Sequence, residues 1–172
     1  MKQLHPRAVW LFFISLLLRW FLVFLILGVW LIGALPEFNE DAWIVGYLGS
    51  FLIIEVVLIV LLYIWAKLSY RFYRYELTEN GFRKELGVIT KKYVTIPYDR
   101  IQNVDIYRGI LARMLGLSDL NIQTAGASAQ VSRYGMFGAS AEGRLPAISF
   151  EEAEQLRDEL IRRAKQSKNQ GL

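Results

Sequence analysis

The sequence predicts an α+β protein in two parts, a two-helix transmembrane hairpin followed by a β-rich domain closed by one C-terminal helix. Three observations predict it. Two long apolar runs, roughly 9–35 and 43–65, lie ahead of Ala66 in a chain of 172 residues. From Tyr70 onward, aromatic and β-branched stretches of five to eight residues alternate with turn signals, the pattern of short strands. Near the end, Ser149 with Glu152 three residues later opens a stretch whose apolar residues share one helical face. The boundaries that follow are 1–69 for the hairpin, 70–165 for the domain and 166–172 for a frayed tail.

A hydrophobic share of 54% with positive mean hydropathy is high for a soluble chain of this size. The excess is concentrated in the two runs, and either exceeds the roughly 20 apolar residues that span a hydrocarbon core. A pair of buried core helices would need cover that so polar a second half cannot give. A secretory signal also sets cations before an apolar run, as Lys2 and Arg7 do here. This run is too long for one, lacks an A-x-A site and is followed by a second.

Charge sets the orientation. The connection, 36–42, holds Glu37, Glu40 and Asp41 and no Lys or Arg, whereas Lys2, Arg7, Lys67, Arg71 and Arg74 flank the outer ends. Positive charge stays inside, which predicts a multi-pass protein of the cytoplasmic (inner) membrane with both termini cytoplasmic. Trp10, Trp43, Tyr63 and Trp65 fall near run ends, where amphipathic rings favour the interface; Trp20 and Trp30 do not fit that belt. The charges inside the runs are Arg19 and Glu55. Counted from the hairpin centre they differ in depth by about three residues, roughly 4.5 Å at helical rise. An intramembrane ion pair between them is therefore expected, with independent snorkelling as the alternative.

Strands are expected near Tyr70–Leu77, Phe82–Leu86, Lys91–Ile96, Ile101–Tyr107, Leu120–Thr124 and Leu145–Ile148. Asn80-Gly81 is expected to supply positive φ in a tight hairpin turn. The strand from Tyr70 should leave the membrane and its neighbour return, bringing Lys91 and Lys92 level with Lys67 and Arg71. In the last helix Ala153, Leu156, Leu160, Ile161 and Ala164 form one stripe, which the sheet must cover. Glu151, Glu152 and Glu154 in its first turns and Arg162, Arg163 and Lys165 in its last suit the helix dipole.

Several strings resemble the bacterial pleckstrin-homology-like (PH-like) domain family in its YdbS-like, membrane-anchored form. They are Tyr75-Glu76-Leu77-Thr78 leading to Gly81-Phe82, then Ile96-Pro97-Tyr98-Asp99-Arg100-Ile101-Gln102-Asn103-Val104, Gly109, Arg113-Met114-Leu115-Gly116-Leu117, and Leu120-Asn121-Ile122-Gln123-Thr124-Ala125-Gly126. The resemblance spans about Tyr70–Arg163 and implies a bent, partly closed barrel of seven strands capped at one end by the C-terminal helix. It does not imply an enzyme.

The candidate sites are few. Without Cys, and with His5 as the sole histidine, the chain has no thiol chemistry and little means of binding a metal. No catalytic constellation stands out, and neither a cofactor nor a small-molecule substrate is indicated. The stretch 126–143 is rich in Gly, Ala and Ser but lacks a P-loop string. It reads as a loop whose Tyr134, Met136 and Phe137 could touch lipid or a partner. Arg100 and Gln102 could face a partner, or could pair with backbone in the turn after Pro97 while Ile101 is buried; the second reading is preferred. From Ala66 onward seventeen Lys and Arg stand against twelve Asp and Glu, a net charge of +5. So short a tether favours anionic lipid over nucleic acid as the negative surface, but a solvated surface with ordinary positive-inside bias is the preferred reading. The expected function is a non-enzymatic, membrane-anchored interaction or scaffolding module for other membrane proteins or a second copy. The alternative is direct binding of anionic headgroups through Lys67, Arg71, Lys91 and Lys92.

Overall fold

The computed structural model describes residues 1–33, 41–124 and 143–170. Helices α1 (Ala8–Gly33) and α2 (Asp41–Arg71) take up the two apolar runs, with no Pro inside either. They lie antiparallel. Near one end the Phe13 ring meets Tyr63 edge-on at 5.7 Å between centroids, and towards the other Gly28 closes on the Phe51 ring. Each contains a 23-residue stretch long and apolar enough to cross a bilayer. In the most apolar window none of α1 and only 6% of α2 is buried. The outward side chains include Leu22, Ile26, Trp30, Ile53 and Val57. A core helix of a soluble protein would be covered, so that alternative does not describe these two. Trp20 lies within the same exposed apolar surface, and Trp30 is the last residue of the first apolar stretch.

The second helix runs further than its sequence suggests. A strand is expected from Tyr70, yet α2 continues through Lys67 and Arg71, and β2 (Arg74–Leu77) begins only three residues later. Nothing between Ala66 and Arg71 breaks a helix, and fully buried Ala66 seats this extension in the fold. Tyr70, Phe72 and Tyr73 favour strands only where a ladder is available to them.

The strands form two antiparallel sheets. The first has the order β1 (Lys2–Gln3), β2, β3 (Gly81–Leu86), β4 (Lys92–Pro97); the second has β5 (Ile101–Tyr107), β6 (Leu117–Thr124), β7 (Gly143–Ser149). A single turn of 3-10 helix, Tyr98–Arg100, passes from one to the other. Among the described residues the seventh strand is not in the domain's own stretch of sequence. It is β1, which precedes α1 and pairs Lys2 with Tyr75 and Gln3 with Arg74. A five-residue helix, α3 (Ile110–Met114), interrupts the passage from β5 to β6 and is not foreshadowed by periodicity.

The β2–β3 turn forms by other means than expected. Neither Asn80 nor Gly81 takes positive φ. Thr78 closes the turn instead, with its N–H donating to Gly81 O at 2.9 Å and its Oγ1 receiving the Gly81 N–H at 3.2 Å. Glycine is needed at 81 because a Cβ would run into the Ile96 carbonyl. Positive φ occurs in the next turn, at Gly87 (φ 112°).

Helix α4 (Phe150–Gln170) covers the second sheet, with Ala153, Leu156, Leu160 and Ala164 buried and Ile161 half-buried. Ser149 Oγ accepts the Glu152 N–H at 3.2 Å, as a cap should. The Glu152 carboxylate is turned elsewhere, accepting the Tyr75 hydroxyl at 2.6 Å. The helix also outruns the tail expected from 166: Lys168 Nζ reaches back to Ile101 O at 3.3 Å. Tyr75, Phe82, Ile101, Leu117, Leu120, Leu145, Ile148 and Leu160 make the core, and Leu4 and Ala8 from the N-terminal segment belong to the same cluster.

Candidate membrane-proximal interface

The domain is fastened to the apolar helices by a short segment that local sequence gives no reason to notice. Residues 4–8 leave β1 and enter α1 with Leu4 and Ala8 buried. Two hydrogen bonds tie them to the domain and a third, within the segment, shapes it. His5 N donates to Ala147 O at 3.3 Å, His5 Nδ1 accepts the Arg7 N–H at 3.2 Å, and Arg7 Nη1 donates to Leu115 O at 3.2 Å. The receiving site is shaped for it. Ala147 adopts φ 55° in fully buried surroundings, and its N–H is held by Asp119 Oδ1 at 3.0 Å. The other carboxylate oxygen of Asp119 takes Arg144 Nη2 at 2.6 Å. An alanine at positive φ is uncommon, and here the bulged ladder around Asp119 and the bond to the N-terminal segment fix it.

On the α2 side the fastening runs through Tyr73, whose hydroxyl donates to Arg144 O at 2.8 Å. The same carbonyl accepts Lys84 Nζ at 2.8 Å, from a lysine 5% exposed. The sequence reading overlooked Lys84. Strand alternation could have found it, because Lys84 lies two residues from buried Phe82 and so on the inward face. Burial pushes the Tyr73 and Tyr75 phenols well above the usual tyrosine range, and at Tyr75 the hydrogen bond to Glu152 adds to the rise.

The four expected lipid-proximal cations are all exposed. Lys67 and Arg71 project from the last turns of α2. In the ladder Arg74 faces Glu85 and Leu86 faces Lys92, so the 87–91 turn lies at the end of the sheet where α2 enters. The structure thus brings Lys91 and Lys92 to the end that carries Arg71. The strand leading away is half as long as expected, four residues rather than eight. Lys91 is engaged by Glu85 at 3.4 Å, and Ile89 at the turn tip is 84% exposed.

Arg100 and Gln102 sit towards the opposite end of the domain, just after Tyr98, whose hydroxyl reaches Thr78. Both are exposed while Ile101 between them is buried. The backbone-pairing role expected for them falls to other groups. Tyr98 Oη donates to Thr78 O at 2.8 Å, and Arg163 Nη1 donates to the same carbonyl at 3.0 Å. Hydrogen bonds from Arg163 and Arg162 hold the Glu159 carboxyl below its usual range. Arg19 is exposed and Glu55 half-buried on the hairpin. Tyr134, Met136 and Phe137 lie outside the described residues. Among the described residues no three His, Asp or Glu side chains converge as a metal ion would require.

A pair of antiparallel sheets packed under a C-terminal helix and rooted in two apolar helices is a PH-like domain joined to two helices long and apolar enough to cross a membrane. The chain belongs to the bacterial PH domain family, whose model matches residues 9–164, hairpin and domain together. It is similar to the UPF0699 transmembrane protein YdbS of Bacillus subtilis (strain 168), at 29% identity over 128 residues, covering 74% of this chain and 70% of that one. It is also similar to the UPF0699 transmembrane protein YdbT of the same strain, at 30% identity over 115 residues. That match covers 64% of this chain but only 21% of YdbT. No solved structure matches. The β1 strand lies ahead of the stretch that the family model matches.

Proposed function

We propose that this chain is a non-enzymatic, membrane-anchored interaction module. Both helices cross the cytoplasmic membrane, and the PH-like domain is presented at its inner face to other membrane proteins or to a second copy. One observation carries this reading. The domain's first sheet is completed by residues that precede α1, while α2 runs without a break into the turn before β2. A domain rooted at both outer ends of a hairpin is held in a fixed pose, which suits presentation of a surface better than capture of a diffusing substrate. The contrast between the acidic, Lys-free connection and the cationic outer ends supports the cytoplasmic orientation. The exposed pair Arg100 and Gln102, at the end of the domain away from the helices, supports a partner surface there.

The exposed cations around the 87–91 turn favour a second reading, direct recognition of anionic headgroups. One comparison separates the two. Crosslinking and copurification from native membranes are carried out with the wild type, with Arg100→Glu/Gln102→Glu and with Lys91→Glu/Lys92→Glu. Loss of crosslinked protein with the first variant alone supports the interaction module. Unchanged crosslinking with the first, and loss of preference for anionic lipid with the second, supports headgroup recognition instead.

A further inference from the structure

The β5–β6 connection contains a feature that the anchoring leaves unused. Helix α3 turns Ala112 inward, half-buries Leu111 and Leu115, and directs Ile110 and Met114 outward at 71% and 79% exposure. These two are four residues apart and so share one helical face. Exposed Arg108 and Arg113 flank them, and the Arg108 guanidinium lies 4.6 Å from the centre of the Phe150 ring. The position of this surface is fixed. Arg7, the residue immediately before α1, donates to Leu115 O at 3.2 Å and so pins the end of α3 beside the first turn of the first apolar helix. One turn further, Trp10 meets Phe13 and Tyr63, each at 6.2 Å, in the aromatic cluster expected where a span reaches the interface.

We propose that α3 is a membrane-contacting foot. Ile110 and Met114 enter the boundary between headgroups and acyl chains of the bilayer that α1 and α2 cross, with Arg108 and Arg113 at phosphate level. The occupant is lipid for two reasons. The pinning bond puts the end of α3 beside the residue that opens α1, and cations beside aliphatic side chains complement an anionic leaflet. The contact is distinct from the cations around 87–91 and would hold whichever functional reading above is correct. It does rest on the hairpin spanning a bilayer.

The chain has no Cys, so single cysteines report single positions. Ile110→Cys, Met114→Cys, Leu22→Cys and Gln102→Cys are each made in the full chain and labelled with a polarity-sensitive fluorophore. They are then placed one chain per nanodisc of phosphatidylcholine and phosphatidylglycerol, with nitroxide on either the headgroup or the acyl chain. All four side chains are exposed, so the fold is not at stake. The expected result is blue-shifted emission at 110 and 114, quenched most by headgroup and shallow nitroxides. Leu22 should respond to deep nitroxide and Gln102 to none. Emission at 110 and 114 that matches Gln102, while Leu22 is quenched, overturns the foot and leaves the hairpin standing. Protection that arises only with two chains per disc makes this a self-association face and also overturns it. An unquenched Leu22 removes the spanning hairpin and the foot with it.

Discussion

Gln3 and Arg74 face each other across an antiparallel ladder, joining a strand that precedes the first apolar helix to one that follows the second. The pairing ties the two outer ends of the hairpin to one sheet, and so to one side of any membrane the hairpin crosses. It also makes the domain dependent on residues outside its contiguous sequence. Leu4, next to the ladder, is 3% exposed in the main core. Leu4→Ala should cost about 2–5 kcal/mol, by lost transfer energy plus a cavity. Exposed Gln3→Ala should stay within about 0.5 kcal/mol. Urea titration of the full chain in micelles checks both, and a Leu4→Ala curve that overlays the wild type would remove the N-terminal segment from the core.

The same relationship bears on topology. A reporter fused at the C-terminus should be active only as a cytoplasmic reporter, and one inserted at Asn39 only as an external one. External activity at the C-terminus would reverse the orientation, though not the shared side of the two ends.

Three buried tyrosines predict how stability depends on pH. Burial raises the Tyr73, Tyr75 and Tyr98 phenols above the ordinary value. A group whose folded value is raised holds its proton in the native state after the unfolded chain has released it. Its stabilising contribution is complete below the unfolded value, about 10, and declines as pH climbs above that. The chain should therefore lose stability progressively above about pH 10. Tyr75→Phe should be less stable at neutral pH by about 1.5–3 kcal/mol, having lost a hydrogen bond to a charged group. It should also show a shallower alkaline decline, because one of the three phenols is gone. An unfolding midpoint followed from pH 7 to about 11 measures both, and an unchanged alkaline slope would exclude Tyr75 as a contributor.

What could be read from the sequence follows the range of the forces involved. The hairpin is a matter of composition over twenty residues, so it was visible at once. Strands β3 to β7 and the stripe on α4 are set by alternation within each element. The two residues of β1 have no period, and their partners lie some seventy positions away. The end of α2 was misplaced because Tyr70, Phe72 and Tyr73 are strand formers that tertiary packing holds in or just past a helix. Helix α3 is too short to show a face. At Lys84 the period was legible, but the carbonyl that accepts its charge, on Arg144, is brought there only by the second sheet. Lys91 and Lys92 lie at the end of the sheet that carries Arg71 although β2 is half the expected length, because reversal at Thr78 matters more than strand length.

The cations around 87–91 should make the folded chain prefer anionic lipid. Lys91 already faces Glu85 at 3.4 Å, which leaves Lys92 the larger share. Each cation near an anionic leaflet contributes about 1 kcal/mol. The thermal midpoint in discs containing phosphatidylglycerol should exceed that in phosphatidylcholine alone. Lys92→Glu should reduce the difference more than Lys91→Glu, and salt should reduce it as the Debye length falls below about 8–10 Å. A lipid preference that survives both substitutions together would remove these two lysines from it.

The last prediction concerns charge inside the hairpin. The contacts of Gly28 with Phe51 and of Phe13 with Tyr63 bracket Arg19 and set it level with Leu58. Glu55 is then about three residues deeper, roughly 4.5 Å at helical rise, within the reach of two long side chains. Inside hydrocarbon each charge alone costs about 2.5–3.5 kcal/mol on insertion scales, and a paired charge costs less. Arg19 can snorkel toward the cytoplasmic end, whereas Glu55 has a shorter stem and greater depth, so Glu55 has more to gain from a partner. We therefore expect Arg19→Glu, which sets two acids at neighbouring depths, to destabilise more than Arg19→Gln. The exchange Arg19→Glu with Glu55→Arg should recover most of what either reversal loses. Unfolding of the four variants in the same micelle measures the coupling directly. Effects of the two reversals that simply add in the exchange variant would mean that the charges act independently.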